Sequence, residues 1–135
     1  MFGLDASVVA NWCLPDESNL CADAARQLIA AEPAIAPAIF WFELRNVLLT
    51  AERRGRITEA QTTSLLVSVG ELVIKVDREP DERMVLSLAR AHRLSVYDAA
   101  YLELAKRQGL ALATLDNALI SAARAEKVPL VGEQT

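Results

Sequence analysis

The feature that most constrains this chain is a repeated alternation of short apolar stretches with longer segments of helical periodicity, each punctuated by proline, glycine or a capping residue. Residues 2–5 read as a short buried strand, and 7–13 as a brief helix with Ser7 as its cap. Pro15 breaks the chain, and 19–32 repeats Leu20, Ala24, Leu28 and Ile29 at helical spacing. Residues 34–36 form a minimal second strand, and Pro37 opens a helix running to about Arg54, with Gly55 placed to end it. Thr58 starts a helix that ends near Gly70, 72–76 is a β-branched strand, and Pro80 with Asp81 opens a helix to about His92. Ser95 caps a helix over 96–107 that Gly109 stops. A strand at 111–114, a helix at 116–126 and a fifth strand at 128–131 complete the pattern. Strands separated by helices require right-handed crossovers. The expected fold is therefore α/β, a single domain over 1–135 with a central, mainly parallel five-stranded sheet flanked by helices on both faces.

Composition bounds the rest. A chain of 135 residues fits one domain and can bury a real core. An apolar fraction of 53% is high for a lone soluble domain and predicts association with a partner, although alanine inflates the figure. The longest apolar run, 34–42, contains Pro37 and is less than half the roughly 20 residues of a membrane-spanning helix. The N-terminus lacks a basic leader and reaches Asp5 at once, so the expected location is the cytoplasm, with no membrane partner. Cys13 and Cys21 are too few and wrongly spaced for zinc or redox motifs, and are expected as reduced, half-buried thiols. The net charge of −4 means that any nucleic acid must be met by local basic groups or by metal ions.

In parallel α/β sheets, ligands bind beyond the carboxyl ends of the strands. Asp5 closes the first strand and Asp116 follows the fourth by two residues, so both are expected at that edge. Glu43 lies in the helix after the second strand, among Phe40, Trp41, Phe42, Leu44 and Val47, and Asp98 in the first turn of a helix between Tyr97 and Ala99. A carboxylate in apolar surroundings is costly without a cation or hydrogen-bond donors. Each acid also has an ordinary explanation. Asp98 and Asp116 favour the positive end of a helix dipole, Asp5 can cap the next helix, and Glu43 can pair with Arg45 or Arg54. Together they are more telling, because all four can converge on one sheet edge. Carboxylates so gathered suit Mg²⁺ or Mn²⁺, hard cations that prefer oxygen ligands. Ser7 and Thr114, two residues from Asp5 and Asp116, and Asn46, three residues after Glu43, are candidates to orient a ligand or simply to bond the local backbone. His92 is the only histidine, so a two-histidine ribonuclease mechanism cannot be assembled, and it reads as a partner of a helix C-terminus. No nucleophile elbow, P-loop, dinucleotide fingerprint or D-x-D is present.

The sequence resembles the PIN-domain family, and more closely the toxin nucleases of VapBC toxin–antitoxin pairs. The pieces that carry the resemblance are Asp5-Ala6-Ser7 with Trp12 and Pro15-Asp16-Glu17, Glu43-Leu44-Arg45-Asn46-Val47-Leu48, Tyr97-Asp98-Ala99-Ala100-Tyr101-Leu102-Glu103-Leu104-Ala105, and Leu112-Ala113-Thr114-Leu115-Asp116. They occur in order over nearly the whole chain. The resemblance implies that Asp5, Glu43, Asp98 and Asp116 are an acidic quartet holding Mg²⁺ or Mn²⁺. It implies endonucleolytic cleavage of RNA, usually tRNA or rRNA, together with a homodimer and inhibition by a cognate VapB-type antitoxin protein. Arg45, Arg53, Arg54, Arg56 and Lys106 are the local groups that could then meet phosphate, although basic residues spaced this way read first as a solvated helical face. Two other readings stay open at this point: a PIN-like nuclease of RNA maturation, and a non-enzymatic partner-binding module.

Overall fold

The computed structural model describes residues 1–14 and 19–133, so the expected break at Pro15 lies outside the described residues. Four strands, β1 (Phe2–Leu4), β2 (Ala34–Pro37), β3 (Ile74–Asp77) and β4 (Leu112–Ala113), form one sheet in the order β3-β2-β1-β4. Every pairing is parallel, with Phe2 opposite Ala34, Gly3 opposite Leu112 and Ala36 opposite Val76. All residues of β1 and β2 are buried. Because successive side chains point to opposite faces, both faces of the central strands are covered, as the continuous apolar runs in the sequence require.

Among the described residues, seven helices surround the sheet: α1 (Ala6–Cys13), α2 (Leu20–Ile29), α3 (Phe40–Arg53), α4 (Glu59–Gly70), α5 (Glu82–His92), α6 (Val96–Gln108) and α7 (Asn117–Ala125). Local chemistry sets their ends. Asn19 accepts from the backbone N–H of Ala22, Asp81 from Met84 and Ser95 from Asp98. Thr58 and Gln61 form a reciprocal capping box. Gly109 ends α6 in the left-handed region. The long, largely buried α6 packs against β1, β2 and β4 and carries α5 on its outer side. Its approach to the sheet depends on Gly3, where a Cβ would lie 3.3 Å from Leu112 Cδ1 and 3.7 Å from the Ala105 methyl.

Four expectations are corrected. The sheet has four strands rather than five. Residues 128–131 run beside β4 but make only an isolated parallel bridge, Leu112 with Leu130. Pro129 has no N–H to continue the ladder, and Gly132 at φ +83° turns the chain away. Ser7 lies inside α1, not at its cap, and Asp5 occupies the cap position. Pro37 closes β2 and α3 begins only at Phe40, since the extended backbone that a proline tolerates continues the strand. The third strand starts at Ile74, because Leu72 is held in a turn by the Val69 carbonyl.

One core joins the sheet to the helices, centred on Phe2, Leu4, Phe40, Leu44, Tyr101 and Leu102. A charged cluster adjoins it, with Arg107 at the surface. Glu103, fully buried on α6, accepts two hydrogen bonds from the Arg107 guanidinium and one from the Asp81 N–H, while Arg107 also reaches Asp77. This ties the end of β3 and the cap of α5 to α6, and the two carboxylates hold the guanidinium firmly charged. Both cysteines are free and half-buried. No helix among the described residues is long and apolar enough to cross a membrane.

Candidate active site

The parallel topology explains how four distant acids meet. Asp5 follows β1, and Asp116 follows the neighbouring β4. Glu43 sits in the first turn of α3, which leaves the end of β2. Asp98 sits in the first turn of α6, and α6 leads back into β4, so its start lies at the same carboxyl edge. Each acid therefore stands at a helix N-terminus, where the partial positive charge of unpaired N–H groups favours an anion.

Asp5 is only 5% exposed, and its Oδ2 accepts hydrogen bonds from Ser7 Oγ and Thr114 Oγ1, both at 2.7 Å. Although at the cap position of α1, it makes no side-chain cap bond, so helix capping does not explain it. The two hydroxyls are fixed in turn. Ser7 Oγ accepts from the Leu115 N–H at 3.0 Å, and buried Thr114 Oγ1 accepts from the Asp116 N–H at 3.1 Å. Asp5 is thereby laced to the loop between β4 and α7. Burial pushes its carboxyl above the usual 3.8, the hydroxyls of Thr114 and Ser7 pull it partway back, and the charge of Asp116 raises it again.

Glu43 makes neither of the arginine pairings open to it in sequence. Its Oε1 accepts from the hydroxyl of Tyr101 at 2.6 Å. Burial raises its carboxyl, the Tyr101 bond opposes that, and the charges of Asp5 and Asp98 add to it. Asp98 is raised by burial and then by the charges of Asp116 and Asp5. Asp116 Oδ1 caps α7 by accepting from the Leu119 N–H at 2.9 Å. Each of the four thus lies within electrostatic range of others in the set. Among the described residues, no three histidine, cysteine, aspartate or glutamate side chains stand close enough together to hold a metal ion as placed. The arrangement is a group of mutually repelling carboxylates with an all-oxygen donor set, chemistry that fits a hard divalent cation and no soft one.

Tyr101 was not among the residues singled out in sequence. It follows Asp98 by three positions, the spacing that places two side chains on one helical face, and that was the available signal. Burial, then the charge of Asp5 and the bond to Glu43, drive its hydroxyl upward, so it stays a donor. The other candidates divide. Ser7 and Thr114 join the site. Asn46 is exposed on α3, beside a shallow cavity shared with Leu14, Thr50 and Arg54. Arg45 is exposed, with its guanidinium 5.8 Å above the Phe42 ring. Lys106 is held by Glu126, which also meets His92 Nε2 at 2.6 Å; this cluster joins the ends of α5, α6 and α7. His92 therefore bonds a carboxylate in addition to lying in the last turn of its helix.

Comparison with known proteins gives a consistent set. The family model described as PIN domain matches residues 3–125. Ribonuclease VapC3 of Pyrobaculum aerophilum is 32% identical over 129 residues, covering 93% of each chain. The crystal structure of PAE2754 from Pyrobaculum aerophilum superposes with a TM-score of 0.70 at 25% identity, over 90% of this chain and 83% of that one. The structure of Mycobacterium tuberculosis VapC20, described as a sarcin-ricin loop cleaving toxin, has a TM-score of 0.61 at 14% identity, over 90% and 95% of the two chains, and shows likeness of fold.

Proposed function

This chain belongs to the PIN-domain family, and on that premise we propose that it is the toxin ribonuclease of a VapBC-type toxin–antitoxin pair, a Mg²⁺- or Mn²⁺-dependent endonuclease that cuts RNA. The observation that carries the reading is the gathering of Asp5, Glu43, Asp98 and Asp116 at helix N-termini along a single sheet edge, where burial and the charges of others in the set push Asp5, Glu43 and Asp98 upward. Asp5, Glu43, Asp98 and Asp116 would hold the cation, which supplies neutralising charge, a binding point for a phosphodiester and a bound water of lowered pKa. The chain's own residues prepare this set. Ser7 and Thr114 fix the direction of Asp5, and Tyr101 fixes that of Glu43. The helix N-termini moderate the repulsion so that the site persists in a folded chain.

The targets are proposed to be tRNA or rRNA, on the strength of the family resemblance. A cognate VapB-type antitoxin as partner rests on the same kinship, and a cytoplasmic site of action follows from an RNA substrate. A homodimer is supported by the exposed apolar side chains of Val67, Val73, Val96 and Tyr97. The test is incubation of the purified protein with total RNA and Mg²⁺, followed by mapping of new 5′ ends. Wild type produces discrete ends that chelator abolishes, and Asp98→Asn produces none while keeping its circular dichroism spectrum. Undiminished cleavage by Asp98→Asn, or in excess chelator, would contradict the assignment.

A further inference from the structure

Beside the acidic edge lies a groove of about 460 Å³ between the start of α3, α4 and the end of β3, lined by Trp41, Phe42, Arg45, Leu66, Val76 and Arg78 among others. Phe42 is 67% exposed, and the Arg45 guanidinium lies 5.8 Å from the centre of its ring. Trp41 is braced edge-on against the buried Phe40, with ring centroids 5.1 Å apart. Two of the residues that line the groove are arginines. Lys106, Arg107 and Arg124 are each tied to a carboxylate, whereas neither Arg45 nor Arg78 has an ion-pair partner among the described residues. In a chain of net charge −4, these two guanidiniums stand beside the exposed Phe42 ring and the half-buried Trp41 ring.

Position completes the case. Ala38 directly follows β2 and Arg78 directly follows β3, so the groove opens at the same carboxyl edge as Asp5, which follows β1. The order β3-β2-β1 and a strand spacing of about 4.8 Å put the end of β3 roughly 10 Å from that of β1. Glu43 stands between Phe42 and Arg45 in α3, so one helical turn serves both the acidic cluster and the groove. We infer that this groove is a subsite for single-stranded RNA flanking the cut, with bases stacking on Phe42 and Trp41 and phosphates meeting Arg45 and Arg78. Aromatic faces stack any base, and guanidiniums meet phosphates in a salt-dependent way, the combination used to hold single strands without reading sequence. The inference rests on the nuclease reading for its substrate, and it adds where the strand lies.

The test uses a short, fluorescently labelled single-stranded RNA with wild type, Phe42→Ala, Arg78→Glu and Trp41→Phe. Binding is followed in chelator by anisotropy and tryptophan quenching, and cleavage in Mg²⁺. Wild type should show quenching that Trp41→Phe largely removes. Phe42→Ala and Arg78→Glu should weaken binding by about tenfold and raise KM with kcat retained, and Arg78→Glu should also flatten the salt dependence. Equal affinity in wild type and both variants would overturn the subsite. So would a Phe42→Ala variant that changes the oligomeric state in sedimentation velocity but binds RNA as before, which would make the groove a protein interface. Failure of the nuclease reading is separately visible, as wild type that cuts no RNA in Mg²⁺ or Mn²⁺.

Discussion

Replacing Thr114 with valine keeps the volume of a fully packed side chain and removes only its hydroxyl. That oxygen donates to Asp5 Oδ2 at 2.7 Å and accepts from the Asp116 N–H at 3.1 Å. A hydrogen bond to a charged group contributes about 1.5–3 kcal/mol and a neutral one about 0.5–1.5. Thr114 is only 2% exposed, so water does not replace the lost partners, and Thr114→Val should cost about 2–4 kcal/mol at pH 8 in chelator. For a chain of this size that lowers Tm by roughly 10 °C. The cost should depend on the charge of Asp5. Its carboxyl titrates above the usual 3.8, so at pH 5 more of it is neutral and the penalty should shrink toward that of ordinary hydrogen bonds. In an Asp5→Asn background the penalty should shrink at pH 8 as well, a coupling of at least about 1 kcal/mol in the double-mutant cycle. Urea unfolding followed by tryptophan fluorescence measures all four proteins. A Thr114→Val penalty below about 0.5 kcal/mol at pH 8, or one equal in both backgrounds, would refute the idea that the hydroxyl supports a buried carboxylate.

Tyr101→Phe removes the donor to Glu43 and should destabilise by about 1.5–3 kcal/mol; because Glu43 then protonates more readily, the acid limb of the kcat/KM profile for RNA should move to higher pH, and an unmoved limb would deny Tyr101 a positioning role. Stability itself should depend on pH with a defined sign. Asp5, Glu43 and Asp98 are all raised on folding, so their contribution is fully present below the ordinary values of 3.8 and 4.5 and is lost as pH rises through the raised ones. In thermal unfolding, Mn²⁺ should therefore raise Tm more at pH 8 than at pH 5; an equal or larger gain at pH 5 would contradict the assignment of that charge to the cation site.

Much of this arrangement was legible because it rests on local chemistry. Capping residues and glycines marked the helices, and Asp5 and Asp116 declared themselves by standing at strand ends. What sequence hid was whatever depended on partners far along the chain. The bond from Tyr101 to Glu43 spans 58 positions, and only the spacing from Asp98 hinted that Tyr101 shared the face. Lys106 read as a solvated helical residue or a phosphate contact, because nothing local announces its pairing with Glu126, twenty positions on. The Glu103–Arg107 pair did carry a readable signal, an acid four residues before a base on one helix, but its links to Asp77 and Asp81 depend on β3 and the start of α5 arriving in space. Ser7 carried two readings, helix cap and orienting hydroxyl, and only the first failed. A serine after a strand is an ordinary cap, and it took the Leu115 N–H and the Asp5 carboxylate, met in space, to decide for the orienting role.

The central claim is that Asp5, Glu43, Asp98 and Asp116 form one cation-binding centre, and calorimetric titration with Mn²⁺ at pH 8 tests it most directly. Asp116→Asn is the informative variant, since asparagine can still cap α7 through the Leu119 N–H while losing the charge. Saturable binding to wild type that weakens at least tenfold in Asp116→Asn, with the helical spectrum unchanged, is the predicted result. Wild type that takes up no Mn²⁺, or binds it no more tightly than Asp116→Asn, would contradict it.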